Sequence, residues 1–203
     1  MASLEASLDA GADYVGLVFY PKSPRHVSLD QAQELANAAR GRAKIVALTV
    51  NADDAELATI REKLAPDFIQ AHGQESPERV KEITRRFGPV IKALAISSAQ
   101  DVLAARAYQP VASMLLFDAK APENLKNALP GGNGVSFDWS LLSADRNLGQ
   151  FMLSGGLNPE NVGQAIKDTA APIVDVSSGV EKAPGHKDAQ LIRNFIEAAR
   201  RSR

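Results

Sequence analysis

No cysteine occurs anywhere in the 203 residues, which excludes a disulfide, a thiolate zinc site and a cysteine nucleophile or base for the chain as it stands. Aromatic residues are scarce, at 5% with one tryptophan, and none is interleaved with Lys and Arg in a stripe. Neither sign of charge is in excess: 23 Lys and Arg face 24 Asp and Glu, so no basic field exists to attract nucleic acid. Long hydrophobic runs are missing, and the first residues lack the basic-then-apolar layout of a secretory leader. The expectation is a cytoplasmic protein with neither a membrane nor a nucleic acid as partner. Its basic tail, Arg200-Arg201-Ser202-Arg203, reads as the cationic end of a helix.

A 45% hydrophobic content with 23% charged residues is ordinary for a globular protein, and no shift in composition divides the chain. One domain over residues 1–203 is expected. Apolar runs rich in β-branched residues recur at Tyr14–Phe19, Lys44–Val50, Phe68–Ala71, Val90–Ile96, Ser113–Phe117, Phe151–Leu153 and Ile173–Val176. Segments of helical period separate them: Leu29–Arg40, Asp54–Leu64, Pro77–Phe87, Ala99–Ala107, Asp138–Asn147, Asn158–Lys167 and Ala189–Arg200. Ser28, Ser76 before Pro77, and Asn158 before Pro159 have the chemistry of helix starts. Strict alternation of strand and helix implies parallel pairing through helical crossovers.

Met1–Ala10 also patterns as a helix, with Leu4 and Leu8 on one side and Gly11 placed to end it. The order therefore opens on a helix, and eight helices stand against seven strands. In a (β/α)8 barrel each strand precedes its helix, so a first strand is expected upstream of Met1. A barrel without it would keep two open edges. An open doubly wound sheet is the structural alternative.

Two glycine turns follow the last two strands: Ser154-Gly155-Gly156-Leu157-Asn158-Pro159 and Ser177-Ser178-Gly179-Val180-Glu181. Glycine lets backbone N–H groups approach an anion closely, and a TIM barrel holds phosphate in the loops after strands seven and eight. Gly155, Gly156, Ser178 and Gly179 are the candidate phosphate cradle. Asp118 closes the run Met114–Phe117, where a strand-end carboxyl group suits a general acid, or else caps the next turn. Arg25 lies in a loop stiffened by Pro21 and Pro24, so its guanidinium is cheap to order against a carboxylate. His26 is the weaker candidate beside it. His72 ends a strand, and Asp175 alternates with Val174 and Val176, which turns its carboxylate toward the barrel interior with Ser177 on the same face. The three histidines, His26, His72 and His186, are scattered, so no metal site is expected. No Rossmann or Walker glycine pattern stands at the right place. The long connection from Ala119 to Ser136 carries Gly131-Gly132-Asn133-Gly134, and loops of this kind are usually functional or mobile.

In order along the chain stand Phe-Tyr-Pro-Lys-Ser-Pro-Arg-His, Gln-Ala-His-Gly, Phe-Asp-Ala-Lys, Gly-Gly-Asn-Gly-Val-Ser-Phe-Asp-Trp, Leu-Ser-Gly-Gly-Leu-Asn-Pro-Glu-Asn-Val and Val-Asp-Val-Ser-Ser-Gly-Val-Glu. With these the sequence closely resembles the phosphoribosylanthranilate isomerases, from about Gly11 to the C-terminus. The resemblance implies a (β/α)8 barrel of tryptophan biosynthesis that needs no metal or organic cofactor. Its substrate would be N-(5′-phosphoribosyl)anthranilate, and its product 1-(o-carboxyphenylamino)-1-deoxyribulose 5-phosphate. It further implies that Asp118 is the general acid, that Arg25 engages the anthranilate end, and that the two glycine turns grip the phosphate. His72 and Asp175 also stand at motif positions of the family.

Members of that family take the sugar C2′ proton with a cysteine on the first strand, within Lys-Ile-Cys-Gly. This chain has neither, so its reading frame is expected to start roughly a dozen residues upstream, the length of one strand and its loop. Losing one strand of eight would remove a share of stability comparable with a domain's whole margin of about 5–15 kcal/mol. The 203-residue chain alone is therefore expected to be unstable or impaired. Two other functions fit the same scaffold: a related sugar-phosphate enzyme, and a phosphosugar-binding barrel without turnover. A monomer and a homodimer are both compatible with the sequence.

Overall fold

The computed structural model describes residues 1–121, 129–134, 136–143 and 148–202. The chain opens on helix α1 (Ala2–Asp9) and then alternates: β1 (Tyr14–Phe19), α2 (Leu29–Ala39), β2 (Lys44–Thr49), α3 (Asp54–Leu64), β3 (Phe68–Ala71), α4 (Pro77–Phe87), β4 (Val90–Ile96) and α5 (Ala99–Ala105). It continues through β5 (Met114–Ala119), α6 (Ser140–Ser143), β6 (Phe151–Leu153), α7 (Val162–Thr169) and β7 (Ile173–Val174). A hairpin of β8 (Glu181–Ala183) and β9 (His186–Lys187) precedes the last helix, α8 (Ala189–Arg201).

The expected strands and helices are there, most of them within two residues at each end. The helix expected over Asp138–Asn147 is described only as α6, and its residues 144–147 lie outside the described residues. Local chemistry accounts for several boundaries. Ser28 and Gln31 form a reciprocal capping box, Ser76 caps α4 with Pro77 at its first position, and Gly11 ends α1 at φ +83°. In that last turn the Gly11 N–H donates to the Leu8 carbonyl and the Ala12 N–H to the Ser7 carbonyl, so the final carbonyls are not left bare. Asn158 does not start its helix directly. Its side chain accepts from the N–H groups of Glu160 and Asn161, which ties off a turn, and α7 begins only at Val162.

All seven main strands pair in parallel in chain order, from β1 to β7. Strand alternation then separates two apolar layers. Val46, Ile91, Ala93, Leu116 and Met152 meet inside the curve of the sheet, joined by Tyr14, Phe68, Met114 and Ile173. Leu115, Phe117 and Leu153 face outward onto Val162, Ile166, Ile192 and Phe195 of the last two long helices. No pairing joins β7 to β1 among the described residues, so the two expected open edges are there. Helices α1 and α8 pack together beside those edges, and the Arg200 guanidinium donates to the Gly11 carbonyl at 2.8 Å. Parallel pairing in one direction puts every strand's C-terminal end on the same rim, and that rim carries the polar residues.

Candidate active site

Asp118 is the last inward-facing residue of β5, two places beyond Leu116, and it is only 5% exposed. Its Oδ1 accepts the N–H of Ala119 at 2.8 Å, and its Oδ2 lies 3.3 Å from His72 Nε2. His72 stands just past β3, where its Nδ1 lies 2.9 Å from the side-chain amide nitrogen of Gln70. With the Gln70 amide oriented in this way it donates to Nδ1, so the ring proton sits on Nε2 and points at the aspartate. The Asp118 carboxyl thus has a specific partner, two strands away in the sheet and 46 residues away in sequence.

Asp175 faces inward as its alternation requires, since Val174 and Val176 pack on the helix side. The Ser154 hydroxyl donates to its Oδ2 at 3.1 Å. Burial pushes the Asp175 carboxyl up, and the negative charge of Asp118 adds to the rise. The Ser154 hydrogen bond opposes it, as do the neighbouring His72 and Lys187.

The two glycine turns form one structure. Gly155 and Gly156 have φ of +87° and +65°, a geometry that turns successive amides the same way. A Cβ on Gly155 would stand 2.5 Å from the Ala119 nitrogen and 3.1 Å from Asp118 Oδ1, so this turn abuts the aspartate. A Cβ on Gly179 would fall 1.8 Å from the Leu157 carbonyl oxygen, so the second turn is pressed against the first. The N–H groups of Gly155, Gly156, Ser178 and Gly179 have no acceptor among the described residues. Four unspent donors on adjoining turns are what an anion needs.

Arg25 is held over the same cavity. Its Nε and Nη2 donate to the two oxygens of Glu181, each at 2.8 Å, and Nη2 also reaches the Gly132 carbonyl at 3.3 Å. Glu181 in turn receives Lys187 Nζ at 2.8 Å. Burial alone would raise the Glu181 carboxyl, but the hydrogen bonds from Arg25 and Lys187 hold it below its ordinary value. His26 is exposed, and only its backbone bridges to Val18. The segment 131–134 arches across the mouth: a Cβ on Gly131 would meet His72 Nε2 at 2.6 Å and Asp118 Oδ2 at 2.7 Å. A side chain at position 131 would push against that pair.

Asp118, His72, Asp175, Arg25, Gly155 and Ser178 all line one cavity of about 470 Å3. It continues between the β1 and β7 edges down to Leu4 of α1 and Phe195 of α8. Sequence reasoning had missed Gln70, Ser154, Glu181 and Lys187. Glu181 stood inside a quoted motif, where its charge was the available signal. Lys187 gave none.

A family model described as N-(5′-phosphoribosyl)anthranilate (PRA) isomerase matches residues 1–198. An N-(5′-phosphoribosyl)anthranilate isomerase of Rhodopseudomonas palustris (strain BisA53) is 56% identical over 200 residues, which cover 98% of this chain and 91% of the relative. One of Parvibaculum lavamentivorans is 49% identical over 201 residues, covering 98% and 94%. Among solved structures, the phosphoribosyl anthranilate isomerase of Thermotoga maritima superposes with a TM-score of 0.86 at 37% identity, covering 97% of this chain and 92% of that one. A phosphoribosyl anthranilate isomerase in complex with reduced 1-(o-carboxyphenylamino)-1-deoxyribulose 5-phosphate gives 0.83 at 35% identity, covering 97% and 91%.

Proposed function

The chain belongs to the N-(5′-phosphoribosyl)anthranilate isomerase family, and from that premise we propose how its own residues divide the work of the rearrangement. The substrate carries a phosphate at one end, a carboxylate at the other and a furanose ring between them. Gly155, Gly156, Ser178 and Gly179 take the phosphate through backbone N–H groups. Arg25 takes the ring carboxylate through the edge of its guanidinium that Glu181 leaves free. Asp118 then sits between the anchors, next to Gly155 and beneath Gly131.

From there the carboxyl proton of Asp118 passes to the furanose ring oxygen as the C1′–O bond breaks, and the anilino nitrogen lone pair forms the C1′=N bond. Loss of the C2′ proton sends that C–H electron pair into a C1′=C2′ bond, and the resulting enol becomes the ketone as C1′ is protonated. His72 stabilises the aspartate left behind, through its Nε2–H. No thiol is among these 203 residues to take the C2′ proton. General base catalysis contributes about 10²–10⁴-fold, so turnover by these 203 residues alone is expected to be lower by that order.

The observation that carries this reading is the meeting of the two glycine turns, Asp118 and Arg25 on one cavity. A small phosphorylated metabolite as substrate fits a cytoplasmic enzyme, and among the described residues no helix is long and apolar enough to cross a membrane. Titration calorimetry of the purified chain with the reduced product analogue tests it. Binding that inorganic phosphate competes away, with conversion of substrate measured by chromatography at a low rate, is expected. No binding would overturn the assignment of the cavity.

A further inference from the structure

Arg25 does not hold itself in place. Its loop leaves β1 through Pro21 and Pro24, and the Val27 N–H returns to the Val18 carbonyl at 3.0 Å, which fixes the backbone but leaves a long side chain to be aimed. The β8–β9 hairpin does the aiming. Its tip is pressed onto the loop, because a Cβ on Gly185 would lie 2.5 Å from the Pro24 carbonyl oxygen. One of its strands carries Glu181, whose side chain is 4% exposed and grips Arg25 by two parallel bonds. Its other strand carries Lys187 opposite Glu181 in the register. Lys187 Nζ also donates to the Ser177 carbonyl at 2.8 Å and to the Ser177 hydroxyl at 3.2 Å, at the edge of the second glycine turn.

We infer that Glu181 is the positioning residue for the substrate's carboxylate end: it fixes the Nε/Nη2 edge of Arg25 so that the Nη1 side is presented to the cavity in one orientation. A guanidinium has five N–H donors in a rigid fork. Glu181 uses two, the Gly132 carbonyl takes a third, and the two on Nη1 have no acceptor among the described residues. Pinning one edge fixes the plane of the whole group, so a carboxylate arriving at the other side finds its donors already aligned. Glu181 also separates two cations that would otherwise repel across the mouth, since Arg25 and Lys187 share its Oε1. Lys187 carries the same carboxylate's influence toward the phosphate turn. The hairpin therefore links the two ends of the substrate site through one side chain.

This inference rests on Arg25 as the group that meets the carboxylate, and the test separates the two. The probes are reduced 1-(o-carboxyphenylamino)-1-deoxyribulose 5-phosphate and the same compound lacking the ring carboxylate, each titrated calorimetrically into the 203-residue chain. Glu181→Gln is expected to weaken the carboxylated probe about tenfold or more, while the other probe changes less than about threefold. Glu181→Asp keeps the charge but withdraws it by one methylene, so it guards against a folding failure and is expected to show the same selectivity in smaller measure. Equal loss for both probes would make Glu181 a structural residue only, and tighter binding of the carboxylated probe would make it a competitor. Either result overturns the inference. In Arg25→Ala, an equal loss for both probes would remove the Arg25 reading, whereas a loss confined to the carboxylated probe there but not in the Glu181 variants would sink the positioning role alone.

Discussion

Two buried ion clusters, one on the helix side of the sheet and one at its mouth, spend their hydrogen bonds differently. On the helix side, Lys92 is 1% exposed and its ammonium donates to the carbonyls of Ala71 and Gly73 and to Glu75 Oε2, at 3.2, 2.7 and 2.7 Å. Glu75 in turn accepts the N–H groups of Asn51 and Gly73. All three donors of the ammonium are consumed by the protein itself. At the mouth, the Nη1 donors of Arg25 and four amides of the glycine turns stay unspent among the described residues. Charge and burial alone would rank the two clusters together. Unspent donors distinguish the candidate ligand site from the cluster that holds a strand end. The closed cluster still serves the open one, because Ala71 and Gly73 flank His72, and the Lys92 ammonium fixes both of their carbonyls.

The largest expected contrast comes from Asp118→Asn at the mouth. Turnover should fall about 10²–10⁴-fold, with affinity for the reduced product analogue close to unchanged, because an amide cannot supply the proton. A matching collapse in denaturant midpoint would mean that Asp118 is structural. Lys92→Met attacks the closed cluster and should cost about 3–5 kcal/mol of stability by urea titration, since it strands a buried carboxylate. Substrate affinity of the folded fraction is expected to stay. Next comes Gly179→Ala, where the added methyl falls against the Leu157 carbonyl and forces the two turns apart. A loss of about 1–3 kcal/mol in stability is expected, together with weaker binding of inorganic phosphate.

The smallest effect is on acid sensitivity. Both Glu75 and Glu181 are held below their ordinary value, so each contributes stability that is complete above an unfolded pKa of about 4.3. That contribution is lost as pH falls through the lower folded value. Asp175 works in the opposite sense: its raised carboxyl costs stability as pH rises from about 3.9 through the folded value. Urea midpoints between about pH 3 and 7 should therefore drop toward acid less steeply in Glu181→Gln than in the parent chain. An unchanged slope would mean that Glu181 is not held ionised by its two cations.

The sheet was legible because fully buried parallel strands are nearly continuous apolar runs, and the candidate site was legible where a polar residue interrupts the end of such a run, as at Asp118 and His72. Asp175 needed one more step, the two-residue alternation that sets it against Val174 and Val176. What escaped is informative in the same terms. The β8–β9 hairpin has strands of three and two residues with no apolar face, so neither period shows in Glu181–Lys187. Lys92 lies inside an apolar strand run, and its partner Glu75 lies 17 residues upstream on another loop, a pairing that no local pattern encodes. Asn158 was identified as a helix start because its chemistry is the same whether it closes a turn or caps a helix.

Gly179 pressed on Leu157 sets the two glycine turns directly against each other. A sugar that opens from ring to chain grows longer, and its extra length must go somewhere. In the proposed binding mode one end is moored at those turns and the other to a clamped guanidinium, which confines the travel to the carbons in between. Those are the atoms that exchange protons in the proposed reaction, so this mode would turn a gain in reach into motion past Asp118 rather than into escape.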